Sequence, residues 1–99
     1  MKIVDKKLRW AIMMSCYCDI CKDYYMTGVD PAHIIARGFG GGSQVDIPEN
    51  LAGLCRRHHL DNHAGRLTQA DLWAAVGRRL GKPATECEQT VRDTLRRRA

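Results

Sequence analysis

The chain has 99 residues, a length typical of one small domain with a modest core, and we interpret residues 1–99 as a single domain. Its formal net charge of +5 favours a polyanionic partner, and nucleic acid fits better than a membrane because no strongly apolar helix face accompanies the arginines. No apolar run approaches the roughly 18 residues of a membrane span, and no signal peptide opens the chain, so we expect an intracellular protein. In a reducing compartment, the spacing of the five cysteines indicates metal ligands rather than disulfides.

Apolar residues at helical spacing predict a first helix over residues 4–14. Within it we expect Trp10 and the pair Met13 and Met14 to contact the core.

Paired cysteines follow this helix. Cys18 and Cys21 form a C-x-x-C pair, whose two-residue gap lets both thiolates reach one tetrahedral ion. Cys55 and His58 repeat the gap later in the chain. Two half-sites with matching gaps predict a structural zinc ion held by these four residues. Cys16 is interpreted as a free thiol. A redox function is disfavoured because no βαβ pattern surrounds the C-x-x-C pair.

The middle of the chain predicts two strands joined by a glycine-rich connector. The first strand covers residues 29–36 and contains Pro31 early, which suits an edge strand or a strand start. Gly38 and residues 40–42 form the connector, and residues 51–54 return as a short apolar strand.

A helix is predicted from about Cys55 to Ala64, ending at Gly65. His59 and His63 lie four positions apart on it, so their side chains share one face at a separation of about 6 Å. That separation suits two ligands of one metal ion. His58 points elsewhere, which suits the separate zinc site.

Two further helices are predicted over residues 69–80 and 84–97, with a break at Gly81 to Pro83. Thr68 and Asp71 have the spacing of an N-cap and the acidic residue that follows it. Cys87, in the middle of the last helix, is interpreted as a buried or inert thiol.

The order of these motifs resembles the HNH endonucleases, also called the His-Me finger or ββα-metal superfamily. The resemblance covers residues 16–65: the C-x-x-C pair, Ala-His-Ile at 32–34, the glycine loop, Asn-Leu at 50–51, Leu-Cys at 54–55 and His-His-x3-His at 58–63. The short format is most similar to small HNH proteins of bacteriophages and their hosts. It implies an α+β fold with a zinc-stabilised ββα-metal core and flanking helices, in the cytoplasm of a bacterial or phage-infected cell.

The resemblance also implies the hydrolysis of DNA phosphodiester bonds with one divalent ion, Mg2+ or Mn2+. His33 matches the family's general base by its place in the motif. Imidazole suits this role because its neutral form accepts a proton at physiological pH. Asn50 matches the Asn that braces the loop or orients this base. His59 matches the metal-binding histidine of the helix, and His63 matches a second ligand or a phosphate contact.

One position departs from the family pattern. Many members bind the ion through an Asp or His directly before the base, where this chain has Ala32. Asp30, two residues earlier on the same strand face, is our first candidate for a replacement, and Asp46 is the second. The alternative function is a zinc-stabilised nucleic-acid-binding module whose nuclease site is degenerate.

Four arginines near the histidines are candidate contacts to the DNA backbone: Arg37, Arg56, Arg57 and Arg66. Beyond DNA, the resemblance suggests other phage or recombination proteins as partners. A monomer that nicks one strand and a homodimer that cuts both strands remain open.

Overall fold

The computed structural model describes residues 2–35 and 44–97, which form a small α+β protein, as predicted. The predicted glycine connector and Arg37 lie outside the described residues. The helices are α1 (Lys6–Ser15), α2 (Arg56–His63), α3 (Gln69–Leu80) and α4 (Ala84–Arg97). The strands are β1 (Lys2–Ile3), β2 (Tyr17–Cys18), β3 (Asp23–Tyr24), β4 (Asp30–His33), β5 (Gln44–Val45) and β6 (Leu51–Leu54), and a 3-10 turn covers Pro48–Asn50.

The helix boundaries follow from local capping. The Asp5 side chain accepts a hydrogen bond from the Leu8 amide at 2.9 Å, so α1 begins two residues later than the sequence predicts. Thr68 and Asp71 form a capping box, in which each side chain accepts from the other residue's amide at 3.1 and 3.0 Å. Gly81 ends α3 with a φ of 72°, a left-handed conformation that glycine adopts without strain.

Strands β4 and β6 form the sheet that positions the site. They pair antiparallel, with Asp30 opposite Leu54 and His33 opposite Leu51. Cys55 alone separates β6 from α2, and α2 contacts both strands. The chain therefore runs strand, strand, helix through the histidine-rich region. The other two sheets pair β1 with β5 in parallel and β2 with β3 antiparallel.

The larger of two buried clusters packs α3 and α4 against β4 and β6. Leu54, Val76 and Val91 are fully buried in it, each contributing roughly 1.5–3 kcal/mol of hydrophobic stabilisation. Trp73 is only 2 % exposed, and its indole N–H donates to the Glu49 carbonyl at 3.1 Å. None of the helices in residues 2–35 and 44–97 has the length and apolar character needed to cross a membrane.

The face that α1 turns to the core differs from the predicted one. Ile12 is its buried residue, and Leu8, one turn earlier, packs beside it. Trp10 and Met14 are 62 % and 60 % exposed, and Met13 is also exposed, so the prediction that these three residues contact the core is wrong. Leu8 and Ile12 are four positions apart and share a stripe, which places residues 10, 13 and 14 on the opposite side.

Candidate metal centre and histidine cluster

Three sulfurs and one imidazole nitrogen converge where the turn after β2 meets the start of α2. His58 Nδ1 lies 3.7, 3.1 and 3.3 Å from the Sγ atoms of Cys18, Cys21 and Cys55, and the last two sulfurs are 3.7 Å apart. A tetrahedral zinc ion, with bonds of about 2.3 Å to sulfur and 2.0 Å to nitrogen, would hold its ligands roughly 3.5–3.8 Å apart. Two of the nitrogen–sulfur distances are a few tenths of an ångström shorter than this, and the four ligand atoms all lie within 4.8 Å of one another. The donor set therefore fits a metal ion such as zinc after a small adjustment of the His58 ring.

The same four side chains were predicted from their sequence gaps. Within the described ranges they are the one group of at least three His, Cys, Asp or Glu residues whose ligand atoms all lie within 4.8 Å of one another. Cys16 lies outside this group, and Cys87 is fully buried in the core, as predicted.

Protonation in the cluster differs from thiol to thiol. Burial raises the pKa of Cys21 to about 11, and the neighbouring Cys18 and Cys55 sulfurs add to this, although the Tyr25 hydroxyl, 3.0 Å away, opposes them. Burial also raises the pKa of Cys55, but hydrogen bonds from the His58 backbone and ring and from the other two thiols bring it to about 6. These contacts favour the thiolate of Cys55, which is the form that binds metal.

Asp19, inside the C-x-x-C pair, connects the cluster to the rest of the fold. Its buried carboxylate accepts hydrogen bonds from the Gly53 amide and from Arg79 Nε, both at 2.8 Å. Arg79 also donates to the Leu51 carbonyl at 2.9 Å. The turn that carries two cysteines is therefore tied to β6 and α3. Sequence reasoning missed this residue, because its arginine partner is 60 positions away.

His33 contacts a buried acid that is itself held by α1. Asp46 Oδ1 lies 2.6 Å from His33 Nε2 and accepts from Arg9 Nη2 at 3.2 Å. Its Oδ2 accepts from Arg9 Nε at 2.6 Å and from the Asp5 amide at 2.8 Å. Asp46, the second candidate ligand, thus has donors on both oxygens and no exposed side-chain surface.

The charge state of Asp46 follows from these contacts. Burial raises its pKa, but the Arg9 guanidinium, the Asp5 amide and His33 together outweigh burial and lower the pKa below its usual value. An ionised carboxylate only accepts hydrogen bonds, so His33 Nε2 is assigned as the donor in this contact, which leaves Nδ1 as the acceptor of a neutral ring. The His33 side chain is 16 % exposed, so solvent reaches the ring.

Asp30, His59 and His63 form a second chain of contacts beside β4. Asp30 Oδ2 lies 2.8 Å from His59 Nδ1, and the Nε2 atoms of the two histidines face each other at 3.2 Å. The two histidines share one face of α2, as their spacing predicts. The Asp30 carboxylate contacts the far nitrogen of His59, so it lies behind that histidine and not next to the gap between the rings.

The remaining predicted site residues divide into buried residues near β4 and exposed arginines on and after α2. The Asn50 side chain is fully buried and joins Ile35 to Val45, which lie on opposite sides of segment 36–43. Ala32 is buried in the core and offers no ligand atom. Arg56 and Arg57 are exposed in the first turn of α2, and Arg66 is exposed and pairs with Asp61 at 3.2 Å.

Comparisons with protein-family models, with curated proteins and with solved structures give no match to this chain. Function is therefore inferred from the side chains of the site.

Proposed function

We propose that this protein is a metal-dependent DNA endonuclease of the HNH type, with a structural zinc ion in the Cys18, Cys21, Cys55 and His58 cluster. The observation that carries the proposal is the path of the chain through residues 30–63. His33 ends one strand of an antiparallel pair, and the helix that follows the second strand presents His59 and His63 on one face.

The two facing imidazoles are suited to a divalent cation. An ion bound about 2.1 Å from each Nε2, at angles between octahedral and tetrahedral, separates the two nitrogens by roughly 3.0–3.4 Å, and the distance here is 3.2 Å. Asp30 accepts from Nδ1 of His59, so the lone pair of that imidazole is on Nε2, as in many carboxylate–histidine–metal arrangements. Imidazole donors favour Mn2+ over Mg2+, which prefers oxygen. When bound, the ion would stabilise the charge that develops on the phosphate and on the leaving oxygen.

His33 supplies the base in this proposal. Its Nδ1 takes a proton from the attacking water as the water oxygen bonds to phosphorus and the bond from phosphorus to the 3′ oxygen breaks. The departing oxygen gains its proton from solvent. Asn50 supports the strand ends on which His33 sits, and the exposed Arg56 and Arg57 supply positive charge for the DNA backbone.

A second function has its own supporting observation. Ala32 offers no ligand and Asp30 lies behind His59, so among residues 2–35 and 44–97 this gap has two candidate ligands, His59 and His63. A zinc-stabilised nucleic-acid-binding module with a degenerate nuclease site is the alternative.

Cleavage of supercoiled plasmid separates the two functions. Wild type is incubated with Mg2+, Mn2+ or EDTA and compared with His33→Ala, His59→Ala and Leu60→Ala. Leu60 is an exposed neighbour on α2 and serves as the matched control. We expect nicking that requires metal, falls by about 100-fold or more in His33→Ala, falls in His59→Ala and is unchanged in Leu60→Ala. Zinc content and circular dichroism must match wild type in each variant.

The contrary results are also informative. No cleavage with any metal, together with tight and salt-sensitive DNA binding, would favour the binding module. Cleavage that survives His33→Ala would remove that residue as the base.

A further inference from the structure

The contacts of Asp46 bring α1, which lies outside the ββα segment, to the back of the proposed base. Arg9 and the Asp5 amide provide three hydrogen bonds to this carboxylate, and His33 provides the fourth contact. The Asp5 side chain at the same time caps α1 through the Leu8 amide. The first turn of α1 is therefore clamped to the carboxylate that contacts His33.

We propose that Asp46, held by Arg9, is a positioning residue that keeps the proton of His33 on Nε2 and so presents Nδ1 as the proton acceptor. The catalytic meaning of this inference rests on the proposed endonuclease. The hydrogen-bond relay from Arg9 through Asp46 to His33 can be tested without it.

Arg9 has a distinct part in the relay. A buried carboxylate alone favours the imidazolium form of a neighbouring histidine. The Arg9 guanidinium partly neutralises the Asp46 carboxylate and so weakens its preference for an imidazolium. The hydrogen bond that orients the His33 ring is kept. Other titratable or charged groups lie on β4 and on the helices packed against it: Asp30 of the same strand, Lys6 and Lys7 of α1, and Arg56, Arg57, Asp61 and the histidines of α2. These groups are unchanged in every variant below, so differences between variants report on the relay.

Asp46→Asn tests the proton position with a side chain of the same shape. Arg9 Nε and the Asp5 amide both donate to the Oδ2 side, so the amide oxygen of the new residue would be held there. Its NH2 group then faces His33 Nε2, which must become the acceptor and transfer the ring proton to Nδ1. We expect a loss of about 1,000- to 10,000-fold in single-turnover cleavage, the scale seen when a triad aspartate is replaced by asparagine. Asp93→Asn on α4 is the matched control.

The proton position is read directly from the side-chain nitrogen resonances of His33. We expect a proton on Nε2 in wild type and in Asp93→Asn, and on Nδ1 in Asp46→Asn. Unchanged His33 resonances in Asp46→Asn, or a wild-type ring protonated on Nδ1, would overturn the inference.

Arg9→Gln tests the charge balance. Asp46 then keeps its charge without a guanidinium partner, so the acidic limb of the pH–rate profile should move to higher pH. Arg96→Gln, an exposed change on α4, should leave the limb in place. A purely structural role for Arg9 would lower the melting temperature without moving the limb, and that result would overturn its part in the relay.

Failure of the proposed endonuclease function can be distinguished from failure of the hydrogen-bond relay. If wild type cleaves no DNA with Mg2+ or Mn2+, the endonuclease is refuted. The nitrogen resonances of wild type and Asp46→Asn then still uphold or overturn the relay.

Discussion

Asn50→Ala tests quantitatively whether one buried side chain holds the strand of the proposed base in place. Asn50 Oδ1 accepts from the Ile35 amide at 2.9 Å, and its Nδ2 donates to the carbonyls of Ile35 and Val45 at 3.2 and 2.9 Å. Alanine removes all three hydrogen bonds. At a net value of about 1 kcal/mol each, the free energy of unfolding should fall by about 3 kcal/mol, and more if the partners stay buried and unpaired.

The measurement is urea unfolding followed by circular dichroism, with zinc held in excess. A small domain has a total stability of about 5–15 kcal/mol, so a loss of this size moves the midpoint clearly. Asn62→Ala on α2 makes the same chemical change where the side chain is only half-buried, and it should stay within about 0.5 kcal/mol of wild type. A loss below about 1 kcal/mol for Asn50→Ala, with zinc content intact, would refute the reasoning.

Three further predictions concern the metal, the helix packing and the response to acid. The Cys55→Ser variant should bind no zinc and lose much of its thermal stability, whereas the Cys16→Ser variant should keep one zinc per chain. Elemental analysis measures the zinc, and equal zinc content in both variants would contradict the ligand set. Gly77→Ala should lower the melting temperature, because the added Cβ would lie 2.5 Å from the Lys82 carbonyl oxygen. Helix propensity alone favours alanine by about 1 kcal/mol, so a higher melting temperature would contradict this packing. The lowered pKa of Asp46 means that the unfolded chain binds this proton more tightly than the folded protein, so the stability from this group is present at neutral pH and is lost as acid titrates it. The urea midpoint of wild type should therefore fall more steeply than that of Asp46→Asn between about pH 5 and pH 3, and parallel curves would contradict the assignment.

Features specified by neighbouring residues could be predicted from the sequence. The four residues of the candidate metal centre come in two pairs with a two-residue gap, which limits how each pair can meet an ion. The last two helices were predicted with their observed bounds, 69–80 and 84–97, since Thr68 caps one and Gly81 breaks the chain between them. The strand predicted over residues 29–36 is shorter, Asp30–His33, and is followed by a bend at residues 34–35.

The acids of the site could not be assigned in the same way. An aspartate near a histidine can bind an ion or accept a hydrogen bond from the ring, and sequence spacing does not distinguish these uses. Asp30 is 29 positions from His59, and Asp46 is 37 positions from Arg9, so no local pattern indicates either pairing. The distances to the ring nitrogens separate the two uses. They place one acid behind a candidate metal ligand and the other behind the proposed base.

The fluorescence of the two tryptophans reports on different parts of the protein, because Trp10 lies on α1 and Trp73 lies in the main core. Trp73 is enclosed between α3, α4 and the Glu49 carbonyl, so its emission follows the main core. Trp10 is exposed on α1, next to Arg9, so its emission reports on that helix. In a Trp73→Phe background, the fluorescence of Trp10 would record the release of α1 from Asp46 while the rest of the protein stays folded. The rate at which the relay behind the proposed base opens and closes thereby becomes measurable in a stopped-flow instrument, without a label.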